Sequence, residues 1–444
     1  MIDVSVIMPV YNAEKYLPIA MDSLSVQTLN NIEIICVNDG STDGSADILE
    51  KYANKDSRIK VFYQRNSYAG VARNTGMVVA KGKYLSFLDA DDYFKPEMLM
   101  EAYMNAEKTQ ADIVIFGGEY FEEDTDRAYH NSGLLKEELI PYNAEYLESD
   151  KFDSLFHFTT TCPWNKLYRR SFIEKNKLRF QTYKRVNDAY FVVVAFALSN
   201  RIGFVRKDLI SYRTGNSNSL QGTNAESPFQ FVDVLRDIKN ALNNYNLYNQ
   251  NEKTFRNLCL SNCIYNLESL KEDIAFERLY NELKNNIFYD FNIIGTKKED
   301  YYNKYAYEQF QYIISHSSYD YRQNKIYGVS KSNRFKEYLF PFEMIDRGSR
   351  IVLYAAGNVG NKFYSQIRKT NYCNIIAWVD KNVKKVGDMH IHAPEVIDMI
   401  NCDYIVIAVE NKLVAEKIKR VLIEDFFVEP NNIVWRDPVV QTRE

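Results

Sequence analysis

The sequence predicts an α/β protein: a parallel sheet covered by helices, then a helical segment, then a second and smaller α/β unit. Three observations lead there. Short apolar runs alternate with segments of helical period through about the first hundred residues. Polar residues collect where those runs end, which is where an open parallel sheet presents its ligand edge. Beyond about residue 225 the strand signal gives way to helical periodicity, until strand–helix alternation resumes near residue 346. The division that follows is 1–225, 226–345 and 346–444, in keeping with roughly 150 residues per domain.

The elements are justified one by one. Val4 to Val10 (VSVIMPV) is an apolar strand closed by a Tyr11-Asn12 turn, and Leu17, Met21 and Leu24 sit at helical spacing within 14–26. Ile32 to Val37 is a second strand ending in Asn38-Asp39-Gly40-Ser41, and Ser41, Thr42 and Asp43 are good caps for a helix over 46–52. Ile59 to Tyr63 is a third strand, and Gly70 to Ala80 a helix. Tyr84 to Leu88 is a short, aromatic, apolar strand that ends in three carboxylates, Asp89, Asp91 and Asp92. Ala111 to Gly118 is a further strand, 119–143 a polar, acidic loop or hairpin, and 202–212 returns as strands.

Carboxylates crowded at a strand end repel one another unless a cation or a basic group offsets them. Alternate residues of an extended chain point the same way, so Asp89 and Asp91 are placed to face one ion. Hard oxygen ligands suit Mg2+ or Mn2+ bridged to substrate phosphates. A solvated acidic turn opening a helix is the other reading of the same residues.

Four motifs in one register, PVYNAEKYL, VNDGSTDGS, GVARNTG and FLDADD, resemble the inverting family-2 glycosyltransferases of the GT-A fold. The likeness is tight over about the first hundred residues and looser to about residue 220. It implies a nucleotide-diphospho-sugar transferase domain and gives each motif a task. Pro9, Tyr11, Asn12 and Asp39 would hold the nucleoside, Asp39 accepting from a uracil N–H, with Glu14 beside them on the donor side. Arg73 would reach the base or the diphosphate. Asp91 is the implied main metal ligand, Asp89 contacts ribose or metal through water, and Ala90 lies between them in the donor site. No Gly-rich phosphate loop with its lysine stands nearby to take over that work.

Further on, TTCPWNKLYRRSFI resembles a stretch of related enzymes in which Trp164 would stack on an acceptor sugar and Lys166 would contact its polar groups. A core tryptophan beside basic surface residues is the alternative. RVNDAYFV stands where the family carries Glu-Asp at the opening of a helix, the aspartate being the catalytic base. The pair here is Asn187-Asp188, so Asp188 is the implied base, taking the proton of the attacking hydroxyl and kept ionised by the helix N-terminus. Plain capping of the helix through Leu198 is the structural alternative, and the missing glutamate bears on acceptor contacts rather than chemistry. Tyr212, Arg213 and Ser217 resemble the family's closing segment over the diphosphate.

Phe231, Leu235, Ile238 and Leu242 keep one helical face, and similar faces recur at 258–270 and 276–287, which predicts antiparallel helices. The aromatics Tyr301, Tyr302, Tyr305, Tyr307, Phe310 and Tyr312 serve packing or a glycan. In the last unit Ala355, Gly357 and Gly360 fill the G-x-G-x-x-G places after a strand over 350–354, with Asp380 where a ribose-binding acid would lie. This unit is Rossmann-like and also resembles the nucleotide-fold domain that opens some bacterial sugar acyltransferases. Alanine at the first place argues against a pyrophosphate and for a structural, homo-oligomerising or regulatory module.

A net charge of −4 gives no reason to expect nucleic acid. No apolar run approaches the ~18 residues of a membrane span, and the N-terminus lacks a charged signal-peptide start. The six scattered cysteines, Cys259 and Cys263 at helical spacing among them, read as reduced, cytoplasmic thiols rather than zinc ligands. The implied function is a soluble, Mn2+- or Mg2+-dependent inverting transferase. It would move a hexose or N-acetylhexosamine from a UDP-sugar to a hydroxyl of teichoic acid, capsule or lipopolysaccharide, with peripheral membrane contact where the acceptor glycan is lipid-linked. Two rivals stand beside it: an NAD(P)-dependent oxidoreductase run by the C-terminal unit, and an inactive glycan-binding scaffold.

Overall fold

The structure, a computed structural model, describes residues 2–122, 127–214, 227–327, 338–381, 385–386 and 389–437. The chain forms two compact units, Met1–Tyr321 and Arg322–Glu444.

The first unit opens with strands that are apolar on both faces, as strands covered on both sides must be. β1 (Val4–Val10), α1 (Leu17–Ser25), β2 (Ile32–Asn38), α2 (Ser45–Ala53), β3 (Ile59–Tyr63), α3 (Tyr68–Val79) and β4 (Tyr84–Phe87) alternate as expected. They pair in parallel in the order β3-β2-β1-β4, which brings the ends of β1, β2 and β4 to one edge. There follow β5 (Tyr93–Phe94), α4 (Met98–Thr109), β6 (Ile113–Glu122), β7 (Arg127–His130), β8 (Tyr146–Glu148), β9 (Lys166–Arg169), α5 (Arg170–Lys175), α6 (Ala189–Leu198) and β10 (Arg201–Thr214). The sheet continues β4-β9-β6-β10-β5, with β7 on β6 and β8 on β10. β9 is the addition the sequence did not announce. It runs antiparallel between β4 and β6, Leu167 opposite both Ser86 and Val114.

Alternate strand residues feed two apolar layers. Ile7, Ile35, Leu85 and Phe87 face one; Val6, Met8, Ile34 and Cys36 face the other, with α1 and α4. The first layer runs on without a break into the helical segment: α7 (Gln230–Asn244), α8 (Tyr248–Ser269), α9 (Asp273–Glu282), a π-helical turn Leu283–Ile287, α10 (Phe288–Asp290), α11 (Lys304–Ser315) and α12 (Ser318–Tyr327). Phe231, Leu235, Ile238, Cys259, Cys263 and Phe310 lie in that shared core, so sheet and helices up to Tyr321 fall within one unit. Tyr301 and Phe310 are buried, and Tyr305 donates to Glu268 at 2.6 Å. All six cysteines are free. No helix among the described residues is long and apolar enough to cross a membrane.

The second unit holds β11 (Arg350–Tyr354), α13 (Asn358–Thr370), β12 (Asn374–Val379), β13 (Lys385–Val386), β14 (Met389–His392), β15 (Tyr404–Ile407), α14 (Lys412–Glu424) and β16 (Ile433–Val434). The order is β13-β14-β12-β11-β15-β16, parallel from β14 to β16. The chain reverses direction of travel across the sheet at β11, as in a doubly wound nucleotide fold. Ala355 takes φ 83 at the place of the first fingerprint glycine, and Gly360 is so close that an added Cβ would lie 2.2 Å from Ala355 O. Asp380 accepts from the Ala356 N–H at 2.7 Å, so the expected ribose-binding acid braces its own turn.

Candidate functional site

The edge formed by the ends of β1, β2 and β4 is built from side chains that first hold one another. Pro9 lies on β1 opposite Val37, and Tyr11 beyond it is half exposed. Asn12 takes φ 47, a left-handed conformation that Asn tolerates. Its Oδ1 accepts from the Thr42 N–H at 2.8 Å, and its own N–H donates to Ser41 Oγ at 3.1 Å. Glu14 Oε2 accepts from the Gly44 N–H at 2.6 Å, and the Glu14 N–H donates to Asp43 at 3.1 Å. Asn12 and Glu14 thus staple the β1–α1 turn to the β2–α2 turn.

Asp39, just past β2, is buried. Its Oδ1 accepts from Gln64 Nε2 at 2.7 Å and from the Ser67 N–H at 2.9 Å. Gln64 is turned that way because its carbonyl takes the Thr75 hydroxyl at 2.7 Å. The other carboxylate oxygen has no hydrogen-bond partner among the described residues and is open to an N–H donor.

After β4 come the carboxylates. Asp89 is partly exposed and accepts from Arg73 at 2.6 Å. Asp91 is pushed up to about 6 by burial, with the Asp89 charge adding and Arg213 opposing. Asp92 is buried, and burial together with the charges of Asp91 and Asp89 holds it well above the usual carboxylate range. One of its oxygens accepts from the Arg213 N–H at 3.1 Å; the other has no partner among the described residues. Ala90 is buried between them. Arg213 also donates from Nε to Asp91 O at 3.0 Å and lies 4.6 Å from the Tyr16 ring. Its place in the closing strand was legible as a resemblance, whereas Ser217 lies outside the described residues.

A divalent cation fits this edge. Asp89 and Asp91, whose pKa the Asp89 charge helps to raise, carry together with the orphaned buried oxygen of Asp92 more negative charge than Arg213 and Arg73 relieve. No group of three or more His, Cys, Asp or Glu among the described residues is arranged to hold a metal. One or two carboxylates completed by substrate phosphates is the arrangement Mg2+ commonly takes.

Arg73 differs from expectation. It is buried and gives its terminal nitrogens to Asp89 and, at 3.1 Å, to Asn187 Oδ1, not outward to a base or diphosphate. Asp188 stands at the N-terminus of α6, half-buried, its carboxylate beside the backbone N–H groups of Asp188 itself and Ala189 and without a side-chain hydrogen-bond partner among the described residues. It does not cap the helix by a side-chain hydrogen bond. Burial pushes its pKa up, the Arg73 charge pulls it down, and the Asp89 charge raises it again, so the carboxyl sits within electrostatic reach of both.

Trp164 and Lys166 need correcting. The W-N-K-L-Y-R stretch is the approach to β9 and β9 itself, a central strand covered on both sides. Trp164 is 4% exposed and stacks on Tyr212 at 5.2 Å and 10°, which leaves no ring face for a sugar. Lys166 is fully buried, donates to Cys162 O at 2.7 Å and Asn165 Oδ1 at 2.6 Å, and is pushed down to about 7 by burial. Neither reaches an acceptor. The sequence reading also passed over Tyr168, whose buried hydroxyl has no partner among the described residues and whose titration feels Asp188.

Known proteins resemble this chain in sequence and in fold. The pattern that defines Glycosyl transferase family 2 fits residues 5–176. The glycosyltransferase GlyG of Streptococcus pneumoniae serotype 4 is 33% identical over 217 residues, 47% of this chain and 70% of that protein. The chain belongs to glycosyl transferase family 2. A second relative, the uncharacterized glycosyltransferase EpsJ of Bacillus subtilis, is 37% identical over 218 residues, 49% of this chain. The chain spans 62% of EpsJ, less than two thirds of its length. Among solved structures, S. aureus TarS 1–349 in complex with UDP-GlcNAc superposes with a TM-score of 0.56 at 22% identity, over 74% of this chain and 92% of that one. That likeness is one of fold, the GT-A fold with its helical continuation.

Proposed function

We propose that the chain transfers a hexose or N-acetylhexosamine from a UDP-sugar to a hydroxyl of a bacterial surface glycan, with inversion at the anomeric carbon and dependence on Mn2+ or Mg2+. The observation that carries this reading is a carboxylate with no side-chain hydrogen-bond partner among the described residues, Asp188, within electrostatic reach of Asp89 at the ligand edge of a family-2 sheet. UDP-GlcNAc bound to TarS supports the donor class. Teichoic acid, capsule and lipopolysaccharide chains are the acceptor class the resemblance implies. A UDP-sugar donor suits a cytoplasmic enzyme, working at the inner membrane face where the acceptor is lipid-linked.

In the proposed reaction the acceptor oxygen forms a bond to C1 as the bond from C1 to the diphosphate oxygen breaks. Asp188 takes the hydroxyl proton, and its raised pKa makes it a stronger base than a free carboxylate. The open oxygen of Asp39 accepts from the uracil N–H. Asp91, with Asp89 beside it, would hold the cation, which when bound neutralises charge on the departing diphosphate.

The test is release of nucleoside diphosphate from UDP-, GDP-, CDP- and dTDP-sugars with Mn2+, Mg2+ or EDTA, alongside UDP titration with and without Mn2+. Metal-dependent UDP release from one or two donors is expected. No release and no metal-dependent UDP binding would end the transferase reading in favour of the scaffold.

A further inference from the structure

Arg73 joins two parts of the site that lie far apart in the chain. One terminal nitrogen donates to Asp89 Oδ1 at 2.6 Å and the other to Asn187 Oδ1 at 3.1 Å, while the guanidinium lies 5.3 Å from the Phe180 ring. Asn187 immediately precedes Asp188, and its amide nitrogen donates back to Tyr183 O at 3.2 Å. The Gln181 N–H donates to Asn187 O at 3.2 Å, so the loop closes on itself.

The same loop is fastened to α3 at two more points. Asn74 donates to Phe180 O at 2.8 Å and accepts from the Phe180 N–H at 2.9 Å. At Gly70 the helix comes so near that an added Cβ would lie 2.1 Å from Gln181 O and 3.1 Å from Asn187 Cβ. Between these anchors Val186 sits at φ 53. A β-branched residue is strained there, and such strain persists only where the surroundings over-determine the backbone.

We propose that Arg73 and Asn187 are positioning residues that lock the Asp89 end of the donor site to the loop carrying Asp188, so that donor and base are set in one frame. This rests on the reading of Asp188 as the base. A neutral amide at 187 suits the task. It accepts from Arg73 without drawing the guanidinium away from Asp89, whereas a carboxylate at that place would compete for the charge. The strained Val186 is the mark of a loop held in one shape by these contacts rather than by its own preference.

The test compares Asn187→Leu, which removes the acceptor at similar volume, with Val186→Gly, which relieves the left-handed strain and frees the loop. UDP release from UDP-GlcNAc with Mn2+ is followed at varied donor concentration, or from whichever UDP-sugar the wild-type chain turns over in the panel above. Misplacing a base by about 1 Å costs on the order of 10²-fold, so kcat is expected to fall about 10-fold or more in both variants, with the donor KM within about 2-fold of wild type. Val186→Gly should keep or raise the thermal midpoint while losing rate, a split that a purely structural loop would not give. If Asn187→Leu fails to fold, Val186→Gly alone decides. Wild-type kcat in Val186→Gly, or a raised KM at unchanged kcat in Asn187→Leu, overturns the positioning role and leaves the transferase reading intact. A wild-type chain that turns over no donor removes both.

Discussion

Asp188, half-buried, and Lys166, fully buried, show how differently two ionisable groups can be used. Asp188 has no side-chain hydrogen-bond partner among the described residues and lies within electrostatic reach of Asp89, so Asp188→Asn should keep Mn2+-dependent UDP binding, read by titration calorimetry, and lose transfer by about 10²- to 10⁴-fold. Asp91→Asn should do the reverse, abolishing the metal dependence of UDP binding. Lys166 is occupied by two internal acceptors. Its pKa lies below the ordinary lysine value, so above about pH 7 the unfolded chain binds the extra proton, and stability gained from this group grows as pH rises from 7 toward 10. Denaturation midpoints should therefore climb over that range in the wild type and flatten in Lys166→Met, with no change in acceptor KM. Asp91 works in the opposite sense. Its raised value near 6 makes its charge a cost to the fold above that pH, while metal-dependent UDP binding should fade as pH drops through about 6. The carboxylates could be read from the sequence because three acids crowded at a strand end are anomalous wherever they lie. The fates of Trp164, Lys166 and Arg73 could not, because burial and partner choice there depend on residues far along the chain, Arg73 and Asn187 being 114 positions apart.

At the scale of elements, strands built on mostly apolar runs declared themselves, and β1, β2, β3 and β4 lie where their composition puts them. β9 was hidden because its four residues begin and end with a cation, a pattern that reads as surface until neighbours close over both faces. α3 carries the site more than any other helix, touching Asp39 through Thr75 and Gln64, Asp89 through Arg73, and the base loop through Asn74. Its Gly70 is the contact that sets the spacing. Alanine in a helix interior is ordinarily better than glycine by about 1 kcal/mol, but here the added carbon would meet Gln181 O at 2.1 Å. Gly70→Ala is expected to destabilise by about 1–3 kcal/mol, measured by urea unfolding, and to lower transfer as well.

Over the whole molecule, each unit has its own apolar core, the second built on Ile351, Leu353, Trp378 and Val406. Calorimetry of the full chain should resolve two transitions, and a chain ending at Tyr327 should retain one of them together with wild-type UDP affinity. Three regions were expected from changes in periodicity. The helical region shares the sheet's core because Phe231, Leu235 and Ile238 on α7 turn toward the same layer as Phe191 and Val194 on α6, and periodicity reports that a helix has an apolar face without naming what covers it.

The place of β9 also bears on how the protein is made. β4 is paired on one side by β1, which precedes it, but on the other by residues 166–169, which leave the ribosome only after α4, β6 and the hairpin have been synthesised. Until then the nascent chain carries Tyr84–Phe87 as an open, apolar edge, the kind of edge that templates association between chains. Growth of the polypeptide past Arg169 is thus the step that seals the half-built sheet, and slow translation before that point is where the chain is most exposed to aggregation.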